Sequence, residues 1–240
     1  MKTALLLIAT GAKYHKYVEP LLKSADEFFI SHTPFLWTNS RTKFVNQQFE
    51  LEDKGHPNTT LYRYHTFYRH ADILLGYDQL FYCDIDMLFA SPIDEVEIFS
   101  QGITATLHPG FVSARWDRNG DYISTRGTPE RNNRESMAYL PHKADNKYFC
   151  GGFNGGDARA YLAMADTIRQ NIDRDKLNFG LEYAPIWHDE SYLNNYLYYN
   201  PPARILTPSF CFPEDYDGGY GWKAEQYPAK LIALDKRKAR

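Results

Sequence analysis

The sequence predicts an α/β fold built on a mostly parallel central sheet flanked by helices. Short apolar runs, typical of buried strands, alternate with longer segments of helical periodicity, and this alternation favours a parallel sheet. The 240 residues suffice for one domain with an ample core, and no repeat or proline- and serine-rich linker divides them. We therefore expect a single domain over residues 1–240.

The first half of the chain alternates three predicted strands with two predicted helices. The strands are the apolar runs at residues 5–9, 35–37 and 80–83. The helices are the periodic segments at residues 18–29 and 63–75. The first apolar run resembles a secretory signal peptide, but it is shorter than the apolar core of such a peptide. A buried strand followed by a turn at residues 10–12 is therefore the better interpretation.

The second half continues the alternation. Its predicted strands lie at residues 104–108, 203–206 and 231–234, and its predicted helices at residues 157–172 and 190–199. Gly155 and Gly156 predict a tight turn from a strand into the first of these helices. Residues 112–135 are polar and lack periodicity, so we expect a long surface loop there.

Composition excludes several classes of function. The net charge of −3 leaves no electrostatic footprint for nucleic acid, and no apolar run is long enough to span a membrane. The three cysteines, Cys83, Cys150 and Cys211, lack the spacing of a zinc site, so free thiols in a reducing cytoplasm are the default expectation. The sequence carries no signal for the oligomeric state.

The motif Asp84-Ile85-Asp86 follows the predicted strand at residues 80–83 and is the most informative feature of the chain. A carboxylate left unpaired in a dry interior costs on the order of several kcal/mol, so two of them indicate a bound cation. Mg²⁺ and Mn²⁺ prefer carboxylate oxygens and commonly bridge them to substrate phosphates. Side chains two residues apart share a face of an extended chain, so Asp84 and Asp86 would reach one ion. Because ligands of open α/β sheets bind beyond the carboxyl ends of strands, we expect a metal–diphosphate site there.

Two further segments indicate a ligand site. Gly151 and Gly152 allow close backbone approach at positions where a side chain would otherwise fill a pocket. The run at residues 187–191, Trp-His-Asp-Glu-Ser, collects polar groups where a helix begins. Asp189 could simply cap that helix, but a cap needs one acid, and carboxylates near an anomeric carbon are the usual tools of glycosyl chemistry. His108, which precedes Pro-Gly, is equally consistent with a structural role and a ligand contact.

Together these segments resemble glycosyltransferase family 6, which includes the histo-blood-group A and B transferases and the α-1,3-galactosyltransferase. The similarity runs through almost the whole chain. The stretches that carry it are Asp84-Ile85-Asp86, the hexapeptide at residues 106–111, the segments at residues 138–141 and 151–156, and the undecapeptide at residues 187–197.

The resemblance implies a GT-A fold and transfer of a sugar from a UDP-sugar donor to a galactoside acceptor, usually at O3, with retention of the α configuration. It implies a nucleotide-binding half at about residues 1–107 and an acceptor and catalytic half at about residues 108–240. The resemblance assigns uridine binding to Ile8, Ala9 and Tyr14 (with Tyr17 as the alternative), the ribose contact to Ile85 and a donor contact to Arg63. It assigns Mn²⁺ binding to Asp84 and Asp86, the donor-sugar pocket to Cys150, Gly151 and Gly152, and the acceptor contact to His108. It assigns the reacting centre to His188, Asp189 and Glu190, and the diphosphate contact to Lys236 and Arg240.

Several residues depart from the family pattern. Related bacterial enzymes replace both aspartates of the metal motif by asparagine, whereas this chain keeps both, so the resemblance implies dependence on Mn²⁺ or Mg²⁺. Cys150 stands where the blood-group branch has leucine or methionine, and residues 212–215 replace a Trp-Asp acceptor contact. The chain carries no anchor or stem of the Golgi members, so we expect a cytoplasmic bacterial or viral form.

Two other classes of function compete with the transferase. In phosphatases of the haloacid-dehalogenase type, a strand-end Asp-x-Asp supplies a nucleophile and an acid, but Met87-Leu88 replaces the usual small turn residues here. A sugar-nucleotide-binding protein without turnover is the other alternative. Release of phosphate from small phosphoesters would identify the phosphatase, and release of UDP from a UDP-sugar would exclude simple binding.

Overall fold

The computed structural model describes residues 1–113, 115–116, 122–123, 128–141 and 147–238, with only the backbone at residues 115, 116 and 122. Its strands are β1 Thr3–Ala9, β2 Thr33–Thr38, β3 Gln47–Glu50, β4 Gln79–Cys83, β5 Met87–Phe89, β6 Ile103–Leu107, β7 Arg115–Trp116, β8 Tyr122–Ile123, β9 Phe149–Asp157, β10 Arg204–Leu206, β11 Phe212–Pro213 and β12 Leu231–Ala233.

Eight α-helices and three 3-10 turns accompany these strands in the described chain. The α-helices are α1 Ala12–His15, α2 Val18–Phe28, α3 Asn58–Leu61, α4 Arg63–Arg69, α5 Ala71–Leu74, α6 Glu95–Ile98, α7 Ala158–Phe179 and α8 His188–Tyr199, and 3-10 turns lie at Pro109–Phe111, Pro208–Cys211 and Ala224–Gln226. Within the described part of the chain, no helix is both long and apolar enough to cross a membrane.

The α/β prediction is confirmed. Seven of the described strands form the central sheet in the order β10-β6-β9-β4-β1-β2-β3. Every pair in it is parallel except those of β9, which runs antiparallel to both β4 and β6. Two smaller sheets accompany it: β11-β12-β5 and the β7-β8 pair.

The central sheet lies between two apolar layers. All seven residues of β1 are buried, and its alternate side chains pack into different clusters: Leu6 and Ile8 on the face of α4, α7 and α8, and Leu5 and Leu7 on the face of α2. A strand covered on both faces reads as a continuous apolar run, which is why the first strand was predictable.

The predicted turn at Gly155 and Gly156 is wrong, because both glycines lie inside β9. A side chain at Gly155 would overlap the Leu80 carbonyl oxygen, and one at Gly156, whose φ is +128°, would overlap the Gly102 carbonyl oxygen. Glycine is therefore required here by the close approach of backbones within the sheet. Helix α7 begins directly after the strand, where Asp157 caps it by accepting a hydrogen bond from the Ala160 amide at 3.0 Å.

The predicted helix over residues 63–75 is two helices that meet at His70. The backbone of His70 is outside the helical range (φ −110°, ψ 24°), and its Nδ1 accepts a hydrogen bond from Trp37 Nε1 at 3.1 Å. Of the predicted loop at residues 112–135, the structure describes residues 112–113, the β7-β8 pair and residues 128–135, and the rest lies outside the described residues. Helix α7 extends seven residues beyond its predicted end at residue 172, to Phe179.

Candidate active site

The carboxyl ends of β1 and β4, which are parallel neighbours, open into a cavity of about 660 Å³. Its walls come from both halves of the chain. They include Ile8, Tyr14, Arg63, Asp84, Ile85, Asp86, His108, Gly151, Gly152, His188, Asp189, Glu190 and Lys236. The structure therefore brings most of the predicted site residues around one space.

Two predicted residues, Ala9 and Cys150, do not line the cavity. Ala9 is fully buried in the core beside the cavity, and Cys150 is buried behind the cavity wall. Arg240 lies outside the described residues. Of the two tyrosines considered for one position, Tyr14 lines the cavity, whereas Tyr17 packs in the core.

Residues 84–86 form a tight turn rather than the extended chain that the sequence argument assumed. The Met87 amide donates a hydrogen bond to the Asp84 carbonyl oxygen at 3.2 Å, and β5 begins at Met87. Asp84 accepts a hydrogen bond from the Tyr82 hydroxyl at 2.6 Å. Asp86 contacts Lys236, with 2.5 Å between its Oδ2 and the lysine Nζ. Both carboxylates nevertheless line the same cavity, because the turn faces it.

The environment of Asp86 fits a cation. Burial and the nearby Asp84 carboxylate raise the pKa of Asp86, and the Lys236 ammonium opposes that shift. In the described part of the chain no third histidine, cysteine or carboxylate joins them as a metal ligand. Two carboxylates at a cavity suit a hard divalent ion whose other ligands are substrate oxygens and water.

Arg63 connects the turn at residues 84–86 to α8. Its side chain is only 1% exposed, forms an ion pair with Asp189 and lies 3.6 Å from Asp84. Its guanidinium also lies over the Tyr82 ring, 4.3 Å from the centroid. Burial alone would lower the pKa of Arg63, but Asp189 and the other anions around it raise that pKa, so the guanidinium stays charged.

The two acidic residues in the first turn of α8, Asp189 and Glu190, lie in different environments. Asp189 is buried against Arg63, and burial raises the pKa of its carboxyl to about 6 even though Arg63 opposes the shift. It does not cap α8: the helix begins after Trp187, whose amide instead donates a hydrogen bond to Ser191 Oγ at 3.1 Å. The capping alternative for Asp189 is therefore wrong.

Glu190 is half-buried and faces Gly151 and Gly152, which form the glycine wall of the cavity. Its Oε2 accepts a hydrogen bond from the Gly151 amide at 2.7 Å. Burial raises the pKa of Glu190 to about 7, and the Gly151 amide opposes that shift. A Cβ atom at Gly151 would lie 2.9 Å from Arg63 Nη2 and 3.3 Å from the Glu190 Cβ, so the close approach of Glu190 needs glycine there.

His108 presents one defined donor. Its Nδ1 accepts a hydrogen bond from the Gly110 amide at 3.1 Å, and burial lowers its pKa to about 4. The neutral ring must therefore carry its proton on Nε2. The ring packs edge-on against Phe111 and Tyr148, which fixes its orientation beside the cavity.

The C-terminal segment reaches the site through the three-stranded sheet β11-β12-β5. The Leu234 amide donates a hydrogen bond to the Asp86 carbonyl oxygen at 3.0 Å, and β12 pairs with β5. Glu214 and Asp215, which replace a family acceptor contact, hold this tail: Asp215 pairs with Arg237 at 2.9 Å and Glu214 with Lys238 at 3.4 Å. They are therefore part of the tail support in this structure.

Sequence reasoning missed several cavity residues, among them Tyr82 and Tyr220. Tyr82 orients Asp84, and its position two residues before Asp84 on β4 was the available signal. Tyr220 also lines the cavity and stacks on Tyr216 with 5.7 Å between ring centroids. No periodic element marks the segment that contains Tyr220, so nothing in the sequence pointed to it.

The comparisons with known proteins agree with this geometry. The sequence model of glycosyltransferase family 6 matches residues 58–230. Of the cavity residues named above, all except Ile8, Tyr14 and Lys236 lie in this range. The chain belongs to glycosyltransferase family 6. The mostly parallel sheet flanked by helices agrees with the GT-A fold that this membership implies.

Several members of the family are similar over much of this chain. Histo-blood group ABO system transferase 1 of Rattus norvegicus is 33% identical over 159 residues, which cover 66% of this chain and 41% of the rat protein. The Escherichia coli O-antigen biosynthesis glycosyltransferase WbnI is 26% identical, with 96% of this chain and 93% of the relative covered. Human globoside alpha-1,3-N-acetylgalactosaminyltransferase 1 is 23% identical over 84% of this chain and 58% of its own length. The chain thus spans about two fifths of the length of the rat relatives.

Proposed function

We propose that this family 6 protein is a retaining α-1,3-glycosyltransferase that moves a hexose or N-acetylhexosamine from a UDP-sugar to a galactoside acceptor. The observation that carries the proposal is the convergence of three features on one cavity. These are the Asp84 and Asp86 carboxylates, the glycine wall and the Glu190 carboxylate. A phosphatase would not need the glycine wall and Glu190, and family membership weighs against it.

Asp84 and Asp86 would hold Mn²⁺, with Mg²⁺ as the alternative, against the donor diphosphate. A bound divalent ion would supply neutralisation of the charge that develops on the leaving group. Lys236, which contacts Asp86, would add a second positive charge to the same oxygens. Arg63 keeps Asp84 and Asp189 in fixed positions relative to each other.

Glu190 would act on the sugar. Its carboxylate either bonds to the anomeric carbon or stabilises an oxocarbenium-like transition state while the acceptor attacks from the side of the leaving group. The Gly151 amide fixes the position of that carboxylate. Asp189 would bind donor hydroxyls, and His108 would donate its Nε2 proton in a hydrogen bond to the acceptor.

The proposal is tested by UDP release from UDP-Gal, UDP-GalNAc, UDP-Glc and UDP-GlcNAc, with lactose or 2′-fucosyllactose as the acceptor. We expect one or two donors to release UDP, and an acceptor to accelerate that release. Parallel assays for phosphate release from small phosphoesters separate a transferase from a phosphatase. No UDP release from any donor would overturn the proposed activity and leave a binding protein.

The activity is expected to depend on a divalent ion. EDTA should abolish UDP release, and added Mn²⁺ should restore it. Asp86→Asn should weaken Mn²⁺ binding in the presence of UDP, measured by electron paramagnetic resonance, because one carboxylate ligand is lost. Asp26→Asn, on the exposed face of α2, is the matched control and should bind Mn²⁺ like the original protein. Equal Mn²⁺ binding by both variants would contradict the assignment.

Gly152 is expected to set the donor preference. A Cβ atom there would lie 3.1 Å from Asp84 Oδ2 and 3.2 Å from Met87 Sδ, so even alanine would narrow the pocket. We expect Gly152→Ala to lower kcat/KM for UDP-GalNAc relative to UDP-Gal by roughly tenfold, the scale of one misplaced methyl group. Gly152→Leu should lower activity with every donor. Gly76→Ala, in an exposed turn away from the cavity, should leave the ratio of kcat/KM for UDP-GalNAc to that for UDP-Gal unchanged. An unchanged ratio in Gly152→Ala would refute the pocket assignment.

A further inference from the structure

Two buried thiols meet behind the glycine wall of the cavity. Cys150 lies on β9, and Cys211 ends the 3-10 turn at Pro208–Cys211. Their Sγ atoms are 2.8 Å apart, although 61 residues separate them in the chain, and neither cysteine forms a disulfide. Free cysteines without a spacing motif were predicted, but this contact was not.

Each thiol adjoins a different part of the site. The Gly152 amide donates a hydrogen bond to Cys150 Sγ at 3.2 Å, so this sulfur supports the backbone of the donor-sugar wall. Cys211 is followed directly by β11, which pairs with β12, and β12 leads to the tail that carries Lys236. A covalent bond between the two sulfurs would therefore join the glycine wall to the support of the tail.

The third thiol is engaged elsewhere. Cys83 is fully buried at the end of β4, and its Sγ donates a hydrogen bond to the Asp84 carbonyl oxygen at 3.4 Å. Of the three cysteines, Cys150 and Cys211 are thus the two whose sulfurs lie in contact. Cys150, whose Sγ accepts the hydrogen bond from the Gly152 amide, is taken as the first nucleophile.

We propose that Cys150 and Cys211 are a site of reversible oxidation, in which a hydroperoxide converts the two thiols to a disulfide. The Cys150 thiolate attacks the O–O bond of the peroxide, which gives a sulfenic acid and one water or alcohol. The Cys211 sulfur then attacks the Cys150 sulfur, and the S–S bond forms as a water molecule leaves. Overall two thiols lose two electrons and the peroxide gains them. A dithiol reductant reverses the reaction by thiol–disulfide exchange.

Formation of the bond would move Cys150 Sγ away from the Gly152 amide and so displace the wall against which the donor sugar packs. This second part of the inference rests on the proposed function, whereas disulfide formation does not. We expect the oxidised protein to have a KM for its UDP-sugar that is several-fold higher, and dithiothreitol to restore the original value.

The test combines intact mass with thiol counting on the full chain. After hydrogen peroxide, the protein should lose the mass of two hydrogens, and denaturing alkylation should label one cysteine, which peptide mapping places at Cys83. Cys83→Ser is the matched control and should form the same disulfide. In Cys211→Ser the sulfenic acid has no partner thiol, so dimedone should label Cys150 and no disulfide should form.

The outcomes separate the two parts of the inference. A disulfide that involves Cys83, or folded protein that keeps three free thiols under peroxide, would overturn the oxidation site. Circular dichroism establishes that each variant is folded. A Cys150–Cys211 disulfide with an unchanged donor KM would overturn the link to the glycine wall. If no UDP-sugar is turned over at all, the mass measurement still decides whether the disulfide forms.

Discussion

Replacing Glu190 by glutamine is expected to lower kcat for sugar transfer by about 10³-fold, a typical effect of removing one group that stabilises developing charge. The substitution keeps the shape of the side chain, and its amide oxygen can still accept the hydrogen bond from the Gly151 amide. The loss would therefore report the missing negative charge at the reacting carbon rather than a displaced wall. Steady-state kinetics with the preferred donor and acceptor measure it.

The matched control is Glu182→Gln, in the exposed segment before α8, which should retain the original kcat. Thermal unfolding of both variants should stay close to that of the original protein. Near-normal transfer by Glu190→Gln would remove Glu190 from the mechanism.

The pH dependence follows from the same carboxyl group. Because burial raises the pKa of Glu190 to about 7, this side chain is protonated below that pH and carries its charge above it. A mechanism that uses the carboxylate therefore predicts that kcat/KM falls as pH drops below about 7, since kcat/KM reports groups of the free enzyme. The residual activity of Glu190→Gln should lack this decline. A profile flat from about pH 5 to 8 in the original protein would contradict the role.

Replacing Arg63 by methionine is expected to be the most destabilising single change at the site. The guanidinium is buried and lies between Asp189 and Asp84, so its removal leaves a buried carboxylate without its partner. Breaking a buried pair from one side costs about 3–5 kcal/mol in the free energy of unfolding. Urea unfolding at neutral pH measures the loss.

Two comparisons isolate the electrostatic cause. In the Arg63→Met background, Asp189→Asn removes the charge that has lost its partner and should recover part of the stability, a coupling that a double-mutant cycle reports. Lys23→Met breaks the exposed Lys23–Glu19 pair and should cost no more than about 1 kcal/mol. Additive effects of Arg63→Met and Asp189→Asn would show that the pair is not coupled.

The destabilisation of Arg63→Met also has a defined sign with pH. The pKa of Asp189 is about 6 with Arg63 present, and it rises further without that cation. A carboxyl whose pKa is higher in the folded state than in the unfolded state loses stability as pH rises between the two values. The variant should therefore lie closer to the original protein at about pH 5 than at about pH 8.

The sequence allowed prediction of those parts of the fold that depend on local burial. The run at residues 5–9 is apolar without interruption because β1 is covered on both faces. Asp84 and Asp86 could be assigned to one cavity because strand ends of a parallel sheet meet at one edge. These inferences needed no knowledge of distant contacts.

The predictions that were wrong or missing concern features that depend on contacts between distant parts of the chain. The glycines of β9 could not be distinguished from a turn, since their requirement comes from the carbonyl oxygens of Leu80 and Gly102 on neighbouring strands. His70, where the predicted helix is interrupted, contacts Trp37, which lies 33 residues earlier. The meeting of Cys150 and Cys211 depends on how a 3-10 turn packs against β9. Each of these contacts is long-range, and composition and periodicity carry no record of it.

The position of β9 also fixes the order in which the sheet can be completed during synthesis. Both neighbours of β6 in the sheet, β9 and β10, come later in the chain. As the ribosome releases the chain, β6 therefore has unpaired edges until β9 emerges and joins it to β4. Such edges favour association with other chains. The nascent protein is therefore exposed to aggregation and to capture by chaperones in the interval between the release of β6 and that of β9.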